Sequence, residues 1–350
     1  MKPLKYLFIS SMLFVATSCG NSWLDLEPST SVDTETSIKI LSDVEFTLNG
    51  IYSTMQSSDA YSGRLVYYGD VTGDDMQAVS STKRVANYYR FNFTKDDNPS
   101  SHWSYLYSII QNCNLILMNI DKLVIDEDDK AYRDDLKGEA LAIRGLALFD
   151  LTRIFGYPYL KDNGASLGVP IIEGLSTIDS KPTRNTVAQC YTKIIDDLTQ
   201  SLSLLGEKFN KGKINKWGAM VLLSRVYLYK GENANALKMA SDAIIGAEKN
   251  KYALWTNEDY PTAWGEDASA SKPGEVLFEI VNLTTDSPGK ESMGYLNSYD
   301  GYDDMCITCS FYQFLKEDPK DIRLKLLSFD KKYYAYVFKY QPQQNESITD

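Results

Sequence analysis

The chain has 350 residues, of which 43% are hydrophobic and 24% charged, so it can bury a large core in one large domain or two small ones. This composition excludes a disordered chain. The formal net charge of −11 argues against a nucleic-acid partner, because binding nucleic acid requires a concentrated basic face.

The N-terminus has the pattern of a secretory signal peptide over residues 1–18. Lys2 and Lys5 accompany an apolar run over residues 4–16, which is too short to span a membrane as a helix. Small residues then lead to Cys19, an arrangement that resembles a bacterial lipobox, in which the cysteine is acylated and becomes the new N-terminus. We therefore predict a lipid anchor at Cys19, where several acyl chains would hold the protein stably. The alternative is simple cleavage with Cys19 as a bystander.

Residues 19–42 are polar, rich in Ser and Thr, and interrupted by Pro28. Such a composition is typical of a flexible linker. We predict a lipid-anchored tether over residues 19–42, followed by one folded domain over residues 43–350.

The folded part is predicted to be mostly helical. A first helix begins at the capping-box pattern of residues 42–45, because the apolar residues that follow recur at helical spacing. A second helix is predicted over 101–123. The acids at 126–129 favour the positive end of a third helix, predicted over 130–155. Gly156 is predicted to end that helix in a left-handed conformation.

The third helix carries small residues on one side, among them Gly138 and Gly145, which would let another helix backbone approach closely. A matching pair of helical segments follows at 186–205 and 217–244, and Gly231 breaks the latter into two helices. Helix–turn–helix units with small residues at the crossing are typical of tetratricopeptide repeats. An ordinary helical bundle is the alternative, which the pattern alone does not exclude.

Two long non-helical regions interrupt the helices, at residues 59–99 and 255–304. The second contains the strand-like EVLFEIV at 275–281. Loops of this length inside a compact domain are usually functional or disordered, and the high aromatic content of both regions argues against disorder.

Several stretches occurring in a fixed order give the chain a family resemblance. They are HWSYLYSIIQNCNLIL, GEALAIRGLALFDLTRIFGYPYL, GVP at 168–170, RNTVAQCYTKIIDDL, INKWGAMVLLSRVYLYKG, PGEVLFEIV and KDIR at 320–323. Together they resemble the SusD/RagB family of outer-membrane nutrient-binding lipoproteins.

The resemblance implies a mainly α fold, with a tetratricopeptide-like helical-repeat scaffold, long inserted loops and little β structure. It also implies a surface-exposed lipoprotein of the cell outer membrane that captures an oligosaccharide and passes it to a SusC-like TonB-dependent transporter, without catalysis and without a cofactor. Family members usually continue with a further helical segment where this chain ends in QQNESITD. The chain is therefore expected to lack the C-terminal helices, either as a truncated form or as an unusually short member.

Tyrosine is the informative residue for a ligand site, with 25 tyrosines against 13 phenylalanines. A flat ring covers the apolar face of a sugar, polar side chains bind its hydroxyl groups, and a tyrosine loses little entropy on being fixed. By the resemblance, the two inserted loops border the ligand site. The predicted ligand-binding residues are Tyr88, Tyr89, Tyr295, Tyr299 and Tyr302, with Asp74, Asp75 and Arg84 as polar partners. The alternative for these rings is packing against the scaffold.

Catalysis has little support from the sequence. His102 is the only histidine, so a His-based triad or a His-rich zinc site lacks material, and we expect His102 to cap or pack at a helix start. Paired loop acids such as Asp303 and Asp304 are interpreted as solvated turn residues. A calcium site that adds Asp300 to these two is conceivable, but the spacing fits no EF-hand. We predict a non-enzymatic protein without a metal.

Two alternative functions remain open. An oligopeptide receptor would have the same architecture, and a lipid-anchored glycoside hydrolase would use a pair of the plentiful carboxylates. The pair Cys306 and Cys309 could form a local disulfide or remain two free thiols, whereas Cys113 and Cys190 lie in helical stripes and are predicted to be core residues.

Overall fold

The structure is a computed structural model that describes residues 37–94, 100–177, 179–264, 274–283, 286, 289–330, 332 and 334–340. The predicted signal peptide, the predicted anchor at Cys19 and the predicted tether as far as residue 36 lie outside the described residues. Among the residues described, no helix is both long enough and apolar enough to cross a membrane.

Helices account for most of the regular structure. In chain order they are α1 (Leu41–Met55), α2 (Arg64–Thr72), α3 (Ala86–Tyr89), α4 (Ser100–Asn119), α5 (Lys130–Phe155), α6 (Val187–Leu204), α7 (Lys216–Lys230), α8 (Asn233–Lys249), α9 (Met293–Asn297) and α10 (Cys309–Lys316). Four short strands form two antiparallel pairs, β1 (Met76–Ala78) with β2 (Met305–Ile307) and β3 (Leu327–Phe329) with β4 (Ala335–Val337). The prediction of a mainly α fold with little β structure is confirmed.

The long central helix α5 has the predicted bounds, and a short 3₁₀ turn made by the acids Glu127–Asp129 precedes it. Helix α1 begins at Leu41, so the predicted cap at Ser42 is wrong. The carboxylate of Asp43 instead accepts hydrogen bonds from the backbone N–H groups of Lys39 and Ile40, at 2.8 and 3.0 Å. Satisfying these donors at the helix start fixes where the chain turns into α1.

The scaffold is a layered series in which α1 packs on α4, α4 on α5, α5 on α6, α6 on α7, and α7 on α8. The close approach of α5 and α6 depends on glycine, as predicted. A Cβ at Gly145 would lie 3.0 Å from Cγ of Leu198, and one at Gly138 would lie 2.8 Å from Cγ of Leu205. Gly231 ends α7 in the left-handed conformation, with φ of 84°, and so separates α7 from α8.

Gly156 ends α5 for a different reason from the one predicted. Its backbone is extended, with φ of −111° and ψ of 171°, so the predicted left-handed cap is wrong. A Cβ at Gly156 would lie 2.7 Å from the carbonyl oxygen of Thr152 and 3.3 Å from Cα of Gly168. Glycine is therefore needed because the chain passes close to backbone atoms on both sides.

A buried ion pair joins α5 to α6. The guanidinium of Arg144 donates to both carboxylate oxygens of Asp197 at 2.8 and 2.7 Å, and its third nitrogen donates to Asn114 of α4 at 2.8 Å. Asn114 in turn donates to the carbonyl oxygens of Ile172 and Gly174, so the network extends into the segment after α5. Three helices and a connecting segment are thereby held in one register.

A second buried acid lies between α1 and α5. Tyr52 of α1 donates through its hydroxyl to Glu139 at 2.6 Å, and the same hydroxyl accepts from the backbone N–H of Ile214 at 3.1 Å. Burial raises the pKa of Glu139 to about 7. The carboxyl group therefore holds its proton more tightly in the folded protein than in the unfolded chain.

The predicted strand EVLFEIV at 275–281 is absent from the regular structure of the described residues, where this stretch runs as irregular chain. Its apolar residues Phe278 and Ile280 pack against the helical core, and the carbonyl oxygen of Val281 accepts from the side chain of Gln56 at 2.5 Å. Burial against helices thus produces the same alternating pattern that strand pairing would require.

Candidate functional site

The two inserted regions, 59–99 and 255–304, meet beside the helical scaffold. The prediction that they are non-helical is wrong, because α2 and α3 lie in the first region and α9 lies in the second. Strand β1 follows the first region's helix α2, and β2 follows the second region's helix α9, with Met76 paired to Ile307 and Ala78 to Met305. Ser62 and Asn282 are also hydrogen-bonded through their side chains. The two regions therefore form one unit rather than two independent loops.

A second hydrophobic core, separate from the one between the scaffold helices, holds this unit together. Its buried members are Tyr67, Val71, Met76, Val85, Leu296, Met305, Ile307 and Ala335. They come from both inserted regions and from the strands that follow the second. A rigid apolar base of this kind positions the polar and aromatic residues above it.

Three of the predicted site residues lie together on this base. The guanidinium carbon of Arg84 is 3.8 Å from the ring centroid of Tyr302, a cation–π geometry. The ring of Tyr295 meets that of Tyr302 edge to face, with centroids 5.1 Å apart and an interplanar angle of 83°. We refer to Arg84, Tyr295 and Tyr302 as the Arg–Tyr cluster.

Two of the other three predicted tyrosines, Tyr88 and Tyr299, pack on aromatic rings outside the Arg–Tyr cluster. Tyr88 in α3 packs edge to face on Tyr68 with centroids 5.3 Å apart, and its neighbour Tyr89 is 38% exposed. Tyr299 contacts the ring of Tyr336 at 5.6 Å and is 37% exposed. Tyr89 and Tyr299 therefore offer ring surface to solvent, whereas Tyr88 is partly covered.

The predicted acids Asp74 and Asp75 precede β1, whereas Arg84 follows it. Both acids are exposed. The main-chain carbonyl oxygen of Asp74 accepts from the hydroxyl of Thr308 at 2.7 Å, and that of Asp75 accepts from the N–H of Thr308 at 2.9 Å. Their backbone thus ties the start of β1 to the end of β2, while the carboxylates face solvent.

Sequence reasoning missed the charged partners of the Arg–Tyr cluster. Glu291 accepts from Arg84 at 2.9 Å and lies 3.6 Å from Arg64, which also pairs with Asp59 at 2.5 Å. The members of these ion pairs are 5 to 227 positions apart, so no sequence motif marks them. The acids look like ordinary loop residues until the fold brings the arginines to them.

Lys83, next to Arg84, is a third cation beside the Arg–Tyr cluster. Its ammonium donates to the carbonyl oxygen of Tyr302 at 2.7 Å and lies 3.3 Å from a carboxylate oxygen of Asp303. The other oxygen of Asp303 accepts from the hydroxyl of Tyr336 at 2.5 Å. Burial raises the pKa of Tyr336, so this hydroxyl remains a donor.

Two buried titratable groups lie close to these charged residues. The interpretation of Asp304 as a solvated turn residue is wrong, because its side chain is buried. Its Oδ2 has no hydrogen-bond partner among the described residues, and burial raises its pKa. His102 is fully buried, its Nδ1 is 2.8 Å from the carbonyl oxygen of Asp59, and burial lowers its pKa. The histidine packs against the first inserted region, in agreement with the predicted packing role.

The second inserted region contains a further aromatic group that the prediction omitted. Trp264 meets Trp255 and Tyr260 edge to face, with centroids 4.9 and 5.5 Å away. The ammonium of Lys339 lies 3.6 Å from the centroid of the Trp264 ring. These contacts connect the chain after α8 to the chain after β4.

The cysteines and acids of this region do not form a metal centre in the described part of the chain, where no group of three or more His, Cys, Asp or Glu is suitably placed. Cys306 and Cys309 are free thiols, the first buried and the second exposed. Burial raises the pKa of Cys306 to about 11, which keeps it an unreactive thiol. Cys113 and Cys190 are buried core residues, as predicted.

A separate surface groove of about 390 Å³ lies between Asn257, Glu258 and the chain around Asp321. An adjoining groove of about 270 Å³ is lined by Tyr312 and Phe329, among others. Neither includes a member of the Arg–Tyr cluster.

Comparison with known proteins agrees with this architecture. The sequence model of one family, described as starch-binding associating with outer membrane, matches residues 22–228, more than half of the chain. The chain belongs to the SusD-like family. A SusD-like protein from Formosa agariphila is 28% identical over 313 residues, which cover 86% of this chain and 57% of that protein.

Solved structures of SusD-like proteins share the fold. A putative sugar binding protein from Bacteroides vulgatus is 82% identical, with a TM-score of 0.87 over 90% of this chain and 70% of that one. A SusD superfamily protein from the same species is 36% identical, with a TM-score of 0.82 over 89% and 70% of the two chains. The chain spans about half the length of the curated SusD-like relatives it matches, from 39% to 57%.

Proposed function

We propose that this SusD-like chain binds carbohydrate without altering it, through the surface that its two inserted regions form together. The observation that carries the proposal is the Arg–Tyr cluster on the shared second core, together with the exposed rings of Tyr89 and Tyr299 in the same two inserted regions. The 82% identity with a putative sugar binding protein supports it.

The chemistry of this surface suits a sugar. Exposed tyrosine rings can cover the apolar C–H face of a pyranose, while the partly exposed side chains of Arg84, Glu291 and Lys83 can exchange hydrogen bonds with its hydroxyl groups. The ion pairs of Arg84 with Glu291 and of Lys83 with Asp303 hold these groups in place before a ligand arrives, which reduces the entropy lost on binding.

The experiment is a binding screen by calorimetry of the chain from residue 20 onward against neutral and acidic glycans and oligopeptides. For the glycan that binds, we expect Tyr89→Ala and Tyr302→Ala to weaken affinity by about 2- to 12-fold, because an aromatic contact contributes roughly 0.5–1.5 kcal/mol. Tyr89→Ala is the cleaner test, since Tyr302 also supports Arg84.

Tyr157→Ala, which removes an exposed tyrosine outside the inserted regions, is the matched control and should keep wild-type affinity. Unchanged affinity in all five variants at Tyr88, Tyr89, Tyr295, Tyr299 and Tyr302 would refute the site. Binding of peptides alone would replace carbohydrate by oligopeptide as the ligand class. Release of reducing ends from a bound polysaccharide would show a glycoside hydrolase instead of a binder.

We further propose that the protein is anchored at the outer-membrane surface through Cys19 and passes its ligand to a SusC-like TonB-dependent transporter. The description of its family as associating with the outer membrane supports the location. Helix α8 exposes Leu237, Ile244 and Ile245, an apolar face that suits a protein partner.

Replacing the predicted acylation site tests the anchor. We expect Cys19→Ser to move the protein from the membrane fraction to the supernatant after ultracentrifugation, because no acyl chain would then hold it. Cys309→Ser, which removes an exposed thiol from the folded part, should remain with the membranes. Equal sedimentation of the Cys19→Ser variant with membranes would contradict acylation.

A further inference from the structure

We infer that Glu291 makes the ligand surface selective for uncharged glycans, because its carboxylate neutralises the two arginines that would otherwise bind an acidic sugar. This inference rests on the proposed function and narrows its ligand class. A carboxylate oxygen of Glu291 accepts a hydrogen bond from a guanidinium nitrogen of Arg84 at 2.9 Å, and it lies 3.6 Å from a guanidinium nitrogen of Arg64. It belongs to the short 3₁₀ turn Gly289–Glu291, which reaches the first inserted region from the second.

Each cation around the Arg–Tyr cluster has an acidic partner. Three cations, Arg64, Lys83 and Arg84, pair with Asp59, Asp303 and Glu291. Asp304, whose carboxyl group is buried beneath them, adds a fourth acid. The exposed residues that neighbour this group in sequence, Lys290 and Asp300, have opposite signs. The surface therefore has no surplus positive charge.

An acidic glycan would need such a surplus. A uronate or sulfate group recognised by arginine normally takes both N–H groups of a free guanidinium fork, and a resident carboxylate competes for the same donors. The chain's net charge of −11 adds a long-range repulsion to any polyanion. Hydroxyl groups, in contrast, can accept from an arginine and donate to a carboxylate at once, so an ion pair at 2.9 Å is a ready partner for a neutral sugar.

The side chains are also exposed enough to meet a ligand. The side chains of Arg84 and Glu291 are 34% and 37% exposed, and that of Arg64 is 32% exposed. Each is held by its ion pairs while one side faces solvent. Removing the single carboxylate of Glu291 would therefore leave two accessible guanidinium groups without their shared acid.

Dextran sulfate and dextran share one backbone and differ in charge, so they test the inference in affinity gel electrophoresis at low salt. We expect dextran sulfate not to retard the wild type, and to retard Glu291→Gln at a concentration at least tenfold below the highest one tested on the wild type. This gain should be lost at 300 mM salt, because screening weakens the interactions of exposed charges. Asp303→Asn, which frees Lys83, should gain affinity in the same direction.

Glu317→Gln is the matched control, since it removes one negative charge from an exposed position in another part of the chain and should behave as the wild type. Thermal unfolding of each variant verifies that it is folded. Retention of the wild type by dextran sulfate as strong as that of Glu291→Gln would overturn the inference, as would a gain no larger than that of Glu317→Gln. Binding of acidic glycans alone by the wild type would also overturn the inference, whereas failure to bind any glycan, neutral or acidic, would instead contradict the proposed function.

Discussion

Replacing Arg144 by methionine should lower the free energy of unfolding by about 3–5 kcal/mol, the range for removing one partner of a buried ion pair. Asp197 is completely buried, and the variant leaves its carboxylate facing Lys193 alone, at 3.3 Å. Asn114 also loses a donor. The cost arises mostly from the charge left behind, since methionine fills much of the volume of the arginine stem.

Urea denaturation measures this effect, and two further variants make the test specific. Lys238→Ala breaks the exposed pair with Asp242 on α8 and should cost less than about 1 kcal/mol. The double variant Arg144→Met with Asp197→Leu removes both charges and should recover much of the loss. A loss for Arg144→Met no larger than that for Lys238→Ala would show that the buried pair does not stabilise the scaffold.

A pH-dependent contribution of about 3 kcal/mol is expected from Glu139. Its pKa of about 7 in the folded protein lies above the ordinary 4.5, and one pKa unit corresponds to about 1.4 kcal/mol. Because the unfolded chain releases this proton more readily, the contribution of Glu139 to the free energy of unfolding is greatest below about pH 4.5, falls as the pH rises towards 7, and then levels off.

Glu139→Gln isolates this contribution, since the amide oxygen can still accept from Tyr52 but cannot titrate. Between pH 5 and pH 8 the wild type should lose about 2–3 kcal/mol more of its unfolding free energy than the variant. His102 has a lowered pKa and acts in the opposite sense, with stability lost as the pH falls, but it is common to both proteins and cancels in the difference. Equal pH slopes would contradict the assignment.

The sequence predicted the scaffold well where the cause is local. Helix α5 has the predicted bounds because acids precede it and glycine follows it, and Gly231 separates α7 from α8 through its backbone conformation. Gly138 and Gly145 marked a helix crossing correctly, since only a missing Cβ permits that approach. Local signals of this kind act within a few residues along the chain.

Features that depend on distant residues were predicted poorly. Arg144 and Asp197 are 53 positions apart, and nothing near either residue indicates a buried partner. The stretch at 275–281 alternates like a strand, yet it packs on helices without a strand to pair with among the described residues. Periodicity indicates which residues are buried, but it does not indicate against what.

The candidate site shows the same division. Composition directed attention to tyrosines in both inserted regions, and the structure places Tyr295 and Tyr302 with Arg84. Glu291, Arg64 and Lys83 were missed because an ion pair has no sequence signature when its members come from different segments. Whether any of these residues binds sugar stays a prediction for the binding screen.

The pairing of Gln77 with Cys306 joins positions 229 residues apart, and the scaffold helices α4 to α8 lie between them in the chain. Entropy of loop closure increases only slowly with length, and a folded series holds both ends near each other. The unit that the two inserted regions form therefore depends on the folded helices to bring its two halves together. The surface of this unit can also vary in sequence while the scaffold helices stay unchanged, so a new ligand specificity can evolve without loss of the fold.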